Sequence, residues 1–231
     1  MANALSTFIK GAGESLPAMT DDQLADALDR ANEAYGVSDT SGIQYVTFSG
    51  KNGEYTIGKS SERDEDALYL IEPKSFIAGF KCWKGGKPVG VVEWSYFTPE
   101  RAISVADLED HGPYDERRGE GWKPLLGFGL VSTDQNNTAL KYTTTTISAC
   151  NAVKDLILEV GSRARNKEPS LPLVYLGAEQ FTSRDGDTNW KPTFHAETWV
   201  TRPAFAAFFE GEMDLDALVE GEQPKKKRGR K

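Results

Sequence analysis

Trp83, Trp94 and Tyr96 share a periodicity with Lys81 in the stretch Ser75 to Tyr96, SFIAGFKCWKGGKPVGVVEWSY. Flat rings beside an ammonium can stack bases and neutralise phosphate. The positioning element is legible too. Two runs of extended-chain residues flank Gly85-Gly86, a pair that enters the positive-φ conformations of a two-residue hairpin turn without strain. Closing such a hairpin pairs Phe80 with Val91, Lys81 with Gly90, Cys82 with Val89 and Trp83 with Pro88. Alternation then puts Phe76, Ala78, Phe80, Cys82, Val89 and Val91 on a core face. Ile77, Lys81, Trp83, Val92, Trp94 and Tyr96 fall on the other, with Gly79 and Gly90 leaving backbone uncovered. Lys84 and Lys87 bracket the turn and add charge. The same second face would equally serve as a buried surface against another sheet or helix.

A second aromatic and basic group, Trp190, Lys191, Phe194, Trp199 and Arg202, falls on a later hairpin, and Trp122-Lys123 adds a third pairing. Neighbours on a strand point to opposite faces, so adjacency of ring and cation proves nothing alone. Trp122 and Trp199 are expected to anchor packing. Arg163, Arg165 and Lys167 close a predicted helix, where cations suit the dipole and can extend a phosphate-binding surface.

Other chemistries find less support. Gly53 to Ser60, GEYTIGKS, spells a phosphate-loop pattern, but its interior is strand-like and the acidic SERDED comes where a helix should begin. The match is read as accidental. His111 and His195 have no neighbours at triad or metal spacing. Asp107, Glu109, Asp110, Asp115, Glu116 and Glu120 fit no metal motif, and Arg117-Arg118 in their midst suggests a self-neutralising, solvated, mobile loop. Cys82 and Cys150 are too few for a disulfide framework. Neither a catalytic centre nor a metal or other cofactor is expected.

The elements that would carry these residues are legible in chain order. Residues 1–19 read as a loose arm. Thr20 to Gln23 has capping-box spacing and opens a helix that Gly36 ends. Strands are predicted at Ile43 to Ser49, Glu54 to Ile57 and Ala67 to Ile71, then come the central hairpin, a long non-periodic stretch over 98–121, and strands at Pro124 to Thr133 and Ala139 to Thr146. Ala149, Ala152, Val153, Leu156, Ile157 and Val160 form the clearest helical stripe. Strands at Leu173 to Thr182 and Trp190 to Thr201 and a short closing helix at Pro203 to Phe209 complete the body. The chain is expected to be mainly β, a β-barrel or α+β fold. Strands, one main helix and two further strands match an OB-like antiparallel barrel, with residues 43–71 as an added hairpin layer and the N-terminal helix outside it. The domains are then an arm and helix over 1–41, the OB-like domain over 42–209 and a disordered tail over 210–231.

Apolar content of 39% and charged content of 27% are ordinary for a globular chain of 231 residues. Charge distribution is more informative. Residues 225–231 hold six of the 27 basic residues and no acid, leaving a remainder of 21 basic and 35 acidic residues at −14. An acidic body excludes a general basic coating, so a nucleic-acid site must be local. From Glu210 to Glu222 six acids alternate with Met213, Leu215, Leu218 and Val219, and PKKKRGRK comes directly after. Such a tail can dock partner proteins or grip phosphates, or can simply solubilise. No run is apolar enough to span a bilayer and no signal pattern opens the chain, so a cytoplasmic location is expected.

MANALSTFIKGAGESLP, IQYVTFSGKNGEYTIG, GFKCWKGGKPVGVVEWSY and the acidic segment together resemble a bacteriophage single-stranded DNA-binding protein of the OB-fold kind, in layout over residues 1–222. The resemblance implies a non-enzymatic protein that coats displaced strands in replication and recombination within the host cytoplasm, and recruits replication or recombination proteins through its acidic tail. The terminal cations depart from that pattern. Bases are expected on Trp83, Trp94 and Tyr96 and phosphates on Lys81, Lys84 and Lys87, extended by Trp190, Lys191, Arg163 and Arg165. A homo-oligomer is a further expected state. The competing class is a non-catalytic structural or protein-interaction module, such as a phage accessory or virion protein.

Overall fold

The computed structural model describes residues 44–58, 61–62, 67–98, 102–133, 138–183 and 186–221. The chain divides into two units, Met1–Gln44 and Tyr45–Lys231, and nearly all the described residues belong to the second. The expected arm and N-terminal helix, Lys59-Ser60 and the basic terminus lie outside the described residues.

The second unit is mainly β, a strongly curled half-barrel sheet with few helices. Its strands are β1 (Gln44–Phe48), β2 (Tyr55–Ile57), β3 (Ser61–Glu62), β4 (Leu68–Ile71), β5 (Ile77–Lys84), β6 (Lys87–Ser95), β7 (Gly121–Ser132), β8 (Ala139–Thr144), β9 (Leu171–Thr182) and β10 (Thr188–Val200). They form one sheet in the order β10-β9-β4-β7-β8-β1-β2-β3, with β5 on β7 and β6 on β5. The segment expected as an added hairpin layer is part of this sheet instead. β4, buried at all four positions, lies between β7 and β9, because an all-apolar strand must be covered on both faces. Strand β2 also fills the interior of the phosphate-loop spelling, pairing with β1 and β3 where a cradle would have to open.

The ends of the strand order approach one another. The Trp190 amide of β10 donates to Gly50 O in the β1–β2 turn at 2.8 Å, and the Tyr55 hydroxyl of β2 donates to Gly177 O of β9 at 2.8 Å. Such contacts between strands far apart in the order require the curl. Glycines permit it. A Cβ at Gly79 would stand 2.0 Å from Val92 O, and one at Gly127 2.4 Å from Tyr142 O.

Helix α1 (Ile147–Arg165) lays its predicted stripe, Ala149, Val153, Leu156 and Val160, against one sheet face. Phe128, Tyr142 and Phe194 pack there with ring centroids 5.0–5.3 Å apart. On the other face of β4 and β9, Leu68, Leu70, Leu171 and Leu173 meet α2 (Arg202–Phe209) and α3 (Leu215–Val219). Arg202 makes a two-pronged ion pair with buried Glu72 at 2.7 and 2.9 Å, which joins α2 to the end of β4. Among the described residues no helix is long and apolar enough to cross a membrane.

Helix α3 corrects the expected tail. Leu218 is 0% exposed, and Met213, Leu215 and Val219 pack around it, so the acidic stretch folds back onto the body as far as Gly221. The alternating apolar residues are the anchor, and the acids between them face water.

Candidate nucleic-acid interface

The hairpin turn forms at Gly85-Gly86, both with positive φ, and Trp83 faces Pro88 as expected. One residue later the register departs from the alternation. A β-bulge at Val89 lets Cys82 face Gly90, so Lys81 pairs with Val91, Phe80 with Val92 and Ala78 with Trp94. A single inserted residue exchanges the two faces of everything beyond it. Val91, expected in the core, is 49% exposed.

The expected row of rings is therefore split. Trp94 lies on the opposite face from Lys81 and Trp83, its ring 5.8 Å from Phe80. Tyr96 falls just past β6 and turns its ring toward Phe97 at 6.3 Å. Lys84 is occupied, because its ammonium donates to His111 O and to Gly112 O, the latter at 3.0 Å. Lys87 is exposed at the tip, opposite Lys84.

Lys84 belongs to a clamp. Segment 109–120 folds over Cys82 and Gly90, with the His111 ring 5.7 Å from Trp122 and the Trp122 indole N–H donating to Glu109 O at 2.9 Å. The Cys82 thiol points at the Tyr114 hydroxyl, which accepts the His111 amide at 2.8 Å. Glu120 accepts from Gly85 N at 2.8 Å and Asp115 N at 2.9 Å, and these amides hold its carboxyl below the ordinary value. The Gly112 amide does the same for Asp110, helped by the Tyr114 hydroxyl. The expected solvated loop is thus tied to the hairpin by several hydrogen bonds, with Asp115 and Arg118 forming a surface ion pair at 3.3 Å.

The remaining expected residues are dispersed. Arg163 lies 4.4 Å from the Trp199 ring centre and pairs with Glu159 and Glu168, which leaves it committed to packing. Arg165 is exposed at the end of α1. Trp190 covers Gly53 in the β1–β2 turn, where a Cβ would meet its ring at 2.7 Å, and Lys191 pairs with Glu179 at 3.1 Å. Neither joins the β5–β6 hairpin.

What the fold does assemble is smaller and includes a residue not expected to bind. Lys123 of β7 stands directly opposite Lys81 of β5, and Gly121 stands opposite Trp83. The Lys81 ammonium leans over the Trp83 ring at 5.0 Å, while that of Lys123 leans the same way, against Gly119. Among the described residues neither lysine has a carboxylate partner. Like charges directly opposed on a sheet destabilise it by up to about 1 kcal/mol, a cost that a bound anion removes. The signal for Lys123 was present as Trp122-Lys123, but its meaning needed the β5–β7 register.

Nothing else in the described residues gathers reactive groups. Among the described residues no cluster of histidine, cysteine or carboxylate could hold a metal. Both cysteines are buried and free, and burial raises the Cys150 thiol above its ordinary value, so it stays protonated. No protein-family model, curated protein or solved structure matches this chain. The fold defines a mainly β half-barrel with one long helix against its sheet.

Proposed function

We propose that this chain is a single-stranded DNA-binding protein with little sequence preference, an elaborated OB-like half-barrel serving DNA replication or recombination in a bacteriophage. The observation that carries this reading is the Lys81–Lys123 pair, two opposed cations with no acidic partner among the described residues, beside the half-buried ring of Trp83. Phosphate would bridge the ammonium groups. Drawing Lys81 toward that phosphate would also clear the Trp83 face for a base, worth about 1–3 kcal/mol. The acidic body restricts binding to such a patch.

Anisotropy titration with labelled oligo-dT tests the reading. Lys81→Gln with Lys123→Gln should weaken binding and flatten the dependence of log affinity on log salt by roughly 0.7, the contribution of the one phosphate that the pair bridges on a single strand. Absence of oligo-dT binding by the wild-type protein at low salt would sink it. A protein-docking module is favoured by a different observation, the exposed Val89, Val91, Tyr96 and Phe97 along and just beyond edge strand β6. It predicts self-association or partner binding that Val91→Glu abolishes while DNA has no effect.

A further inference from the structure

Strand β7 outruns its neighbour. β8 pairs with Leu126 to Val131 and ends at Thr144, so Lys123 and Pro124 face the start of α1 across a gap. That gap is a cleft of about 690 Å3 lined by Lys123, Pro124, Thr146, Ile147, Asn151 and Phe181. Its size is that of a small-ligand site, about 300–1,000 Å3. Ile147, at the rim, is 82% exposed, the most exposed large apolar side chain among the described residues.

We infer that this cleft receives one nucleobase of a strand whose phosphate lies between Lys81 and Lys123. The inference rests on the function proposed above and extends it to a second subsite. Three features commit it to that occupant. Lys123 lines the cleft and also stands in the lysine pair, and β8 leaves the edge of β7 beside it uncovered, so a strand that turns over that edge passes from the pair to the cleft. Phe181, Pro124 and Ile147 supply ring and aliphatic surface, which covers the faces of any base. Asn151 and Thr146 supply an amide and a hydroxyl that can meet a base edge, whichever base it is. The path from Lys81 through Lys123 to the cleft crosses β5 and β7 at right angles, so the strand would run across the sheet rather than along the hairpin.

The test compares (dT)12 with an abasic strand of the same length, which keeps the phosphates and removes the bases. The full chain should bind (dT)12 more tightly than the abasic strand. Phe181→Ala should shrink that ratio roughly five- to hundredfold with its salt slope unchanged. Phe181→Leu, which keeps apolar bulk, and Asn151→Ala, an exposed position, should shrink it less and guard against misfolding of the first variant. A ratio unchanged within twofold in all three variants overturns the cleft as a base site while leaving strand binding intact. Failure of the wild-type protein to bind either strand overturns the underlying reading and the inference with it.

Discussion

Glu120 accepts the amide of Gly85 at 2.8 Å, so a carboxylate thirty-five residues away holds the turn on which the central hairpin closes. The same side chain accepts from Asp115 N, and the two hydrogen bonds favour its ionised form. A carboxyl whose value is depressed by folding stabilises the fold at pH above its unfolded value and loses that contribution as pH falls through the lower folded one. The amide proton shifts of Gly85 and Asp115 should therefore titrate together with a midpoint below 4.5, the ordinary value for this group. Glu120→Gln should abolish the shared titration. Two separate midpoints, or a midpoint above 4.5, would show that the clamp is not formed by this carboxylate.

The split of the aromatic row gives a contrast between two tryptophans. Trp83 shares its face with Lys81 and Lys123, whereas Trp94 packs on Phe80 across the sheet. Trp83→Ala should weaken oligo-dT binding by about 1–3 kcal/mol, with Trp94→Phe leaving it unchanged. Equal losses in titrations of the two variants would restore the unbroken alternation and contradict the bulge.

Tyr142 buries its hydroxyl under α1 without a hydrogen-bond partner in the described residues, the Thr144 hydroxyl lying near without completing a bond. Burial accordingly pushes its ionisation well above the ordinary value. Removing an unpaired buried polar group recovers part of a desolvation cost of about 1–3 kcal/mol. Tyr142→Phe should thus be neutral or more stable by about 1 kcal/mol in urea unfolding. A loss of that size instead would mean that the hydroxyl has a partner in solution.

Gly79 has backbone in the place of a side chain, with Val92 O 2.0 Å from where a Cβ would sit. Backbone cannot swing aside as a flexible side chain can. Gly79→Ala should lower stability by at least about 2 kcal/mol, toward the upper end of ordinary overpacking, because β5 and β6 must separate. Gly186→Ala, whose Cβ meets nothing within 4 Å but whose φ is positive, should lose only about 1 kcal/mol. Similar losses in thermal melts of both variants would mean that β5 and β6 take up the added methyl without separating.

Local rules suffice where the interactions are local. The stripe of α1 appears in the sequence at the spacing its packing requires, and the Gly85-Gly86 turn forms where two glycines demanded it. The bulge at Val89 has no such signature, because β5 takes β7 as its second neighbour and the preferred register is settled across both edges. That one shift moved Val91 out of the core and Trp94 off the expected face. The pairing of Lys81 with Lys123 spans 42 positions and a clamp segment that reads as solvated loop until Lys84, Trp122 and Glu120 are seen to hold it. At the C-terminal end, acids outnumber the apolar residues around Leu218, and the helix they form is too short for its periodicity to stand out.

Because Leu218 is sunk in the body, the carboxylates around it keep fixed places on the surface of α3 and its approach. Glu212, Asp214, Asp216 and Glu220, all exposed, form a standing fence of negative charge there, and any anion nearing that side of the molecule meets repulsion before contact.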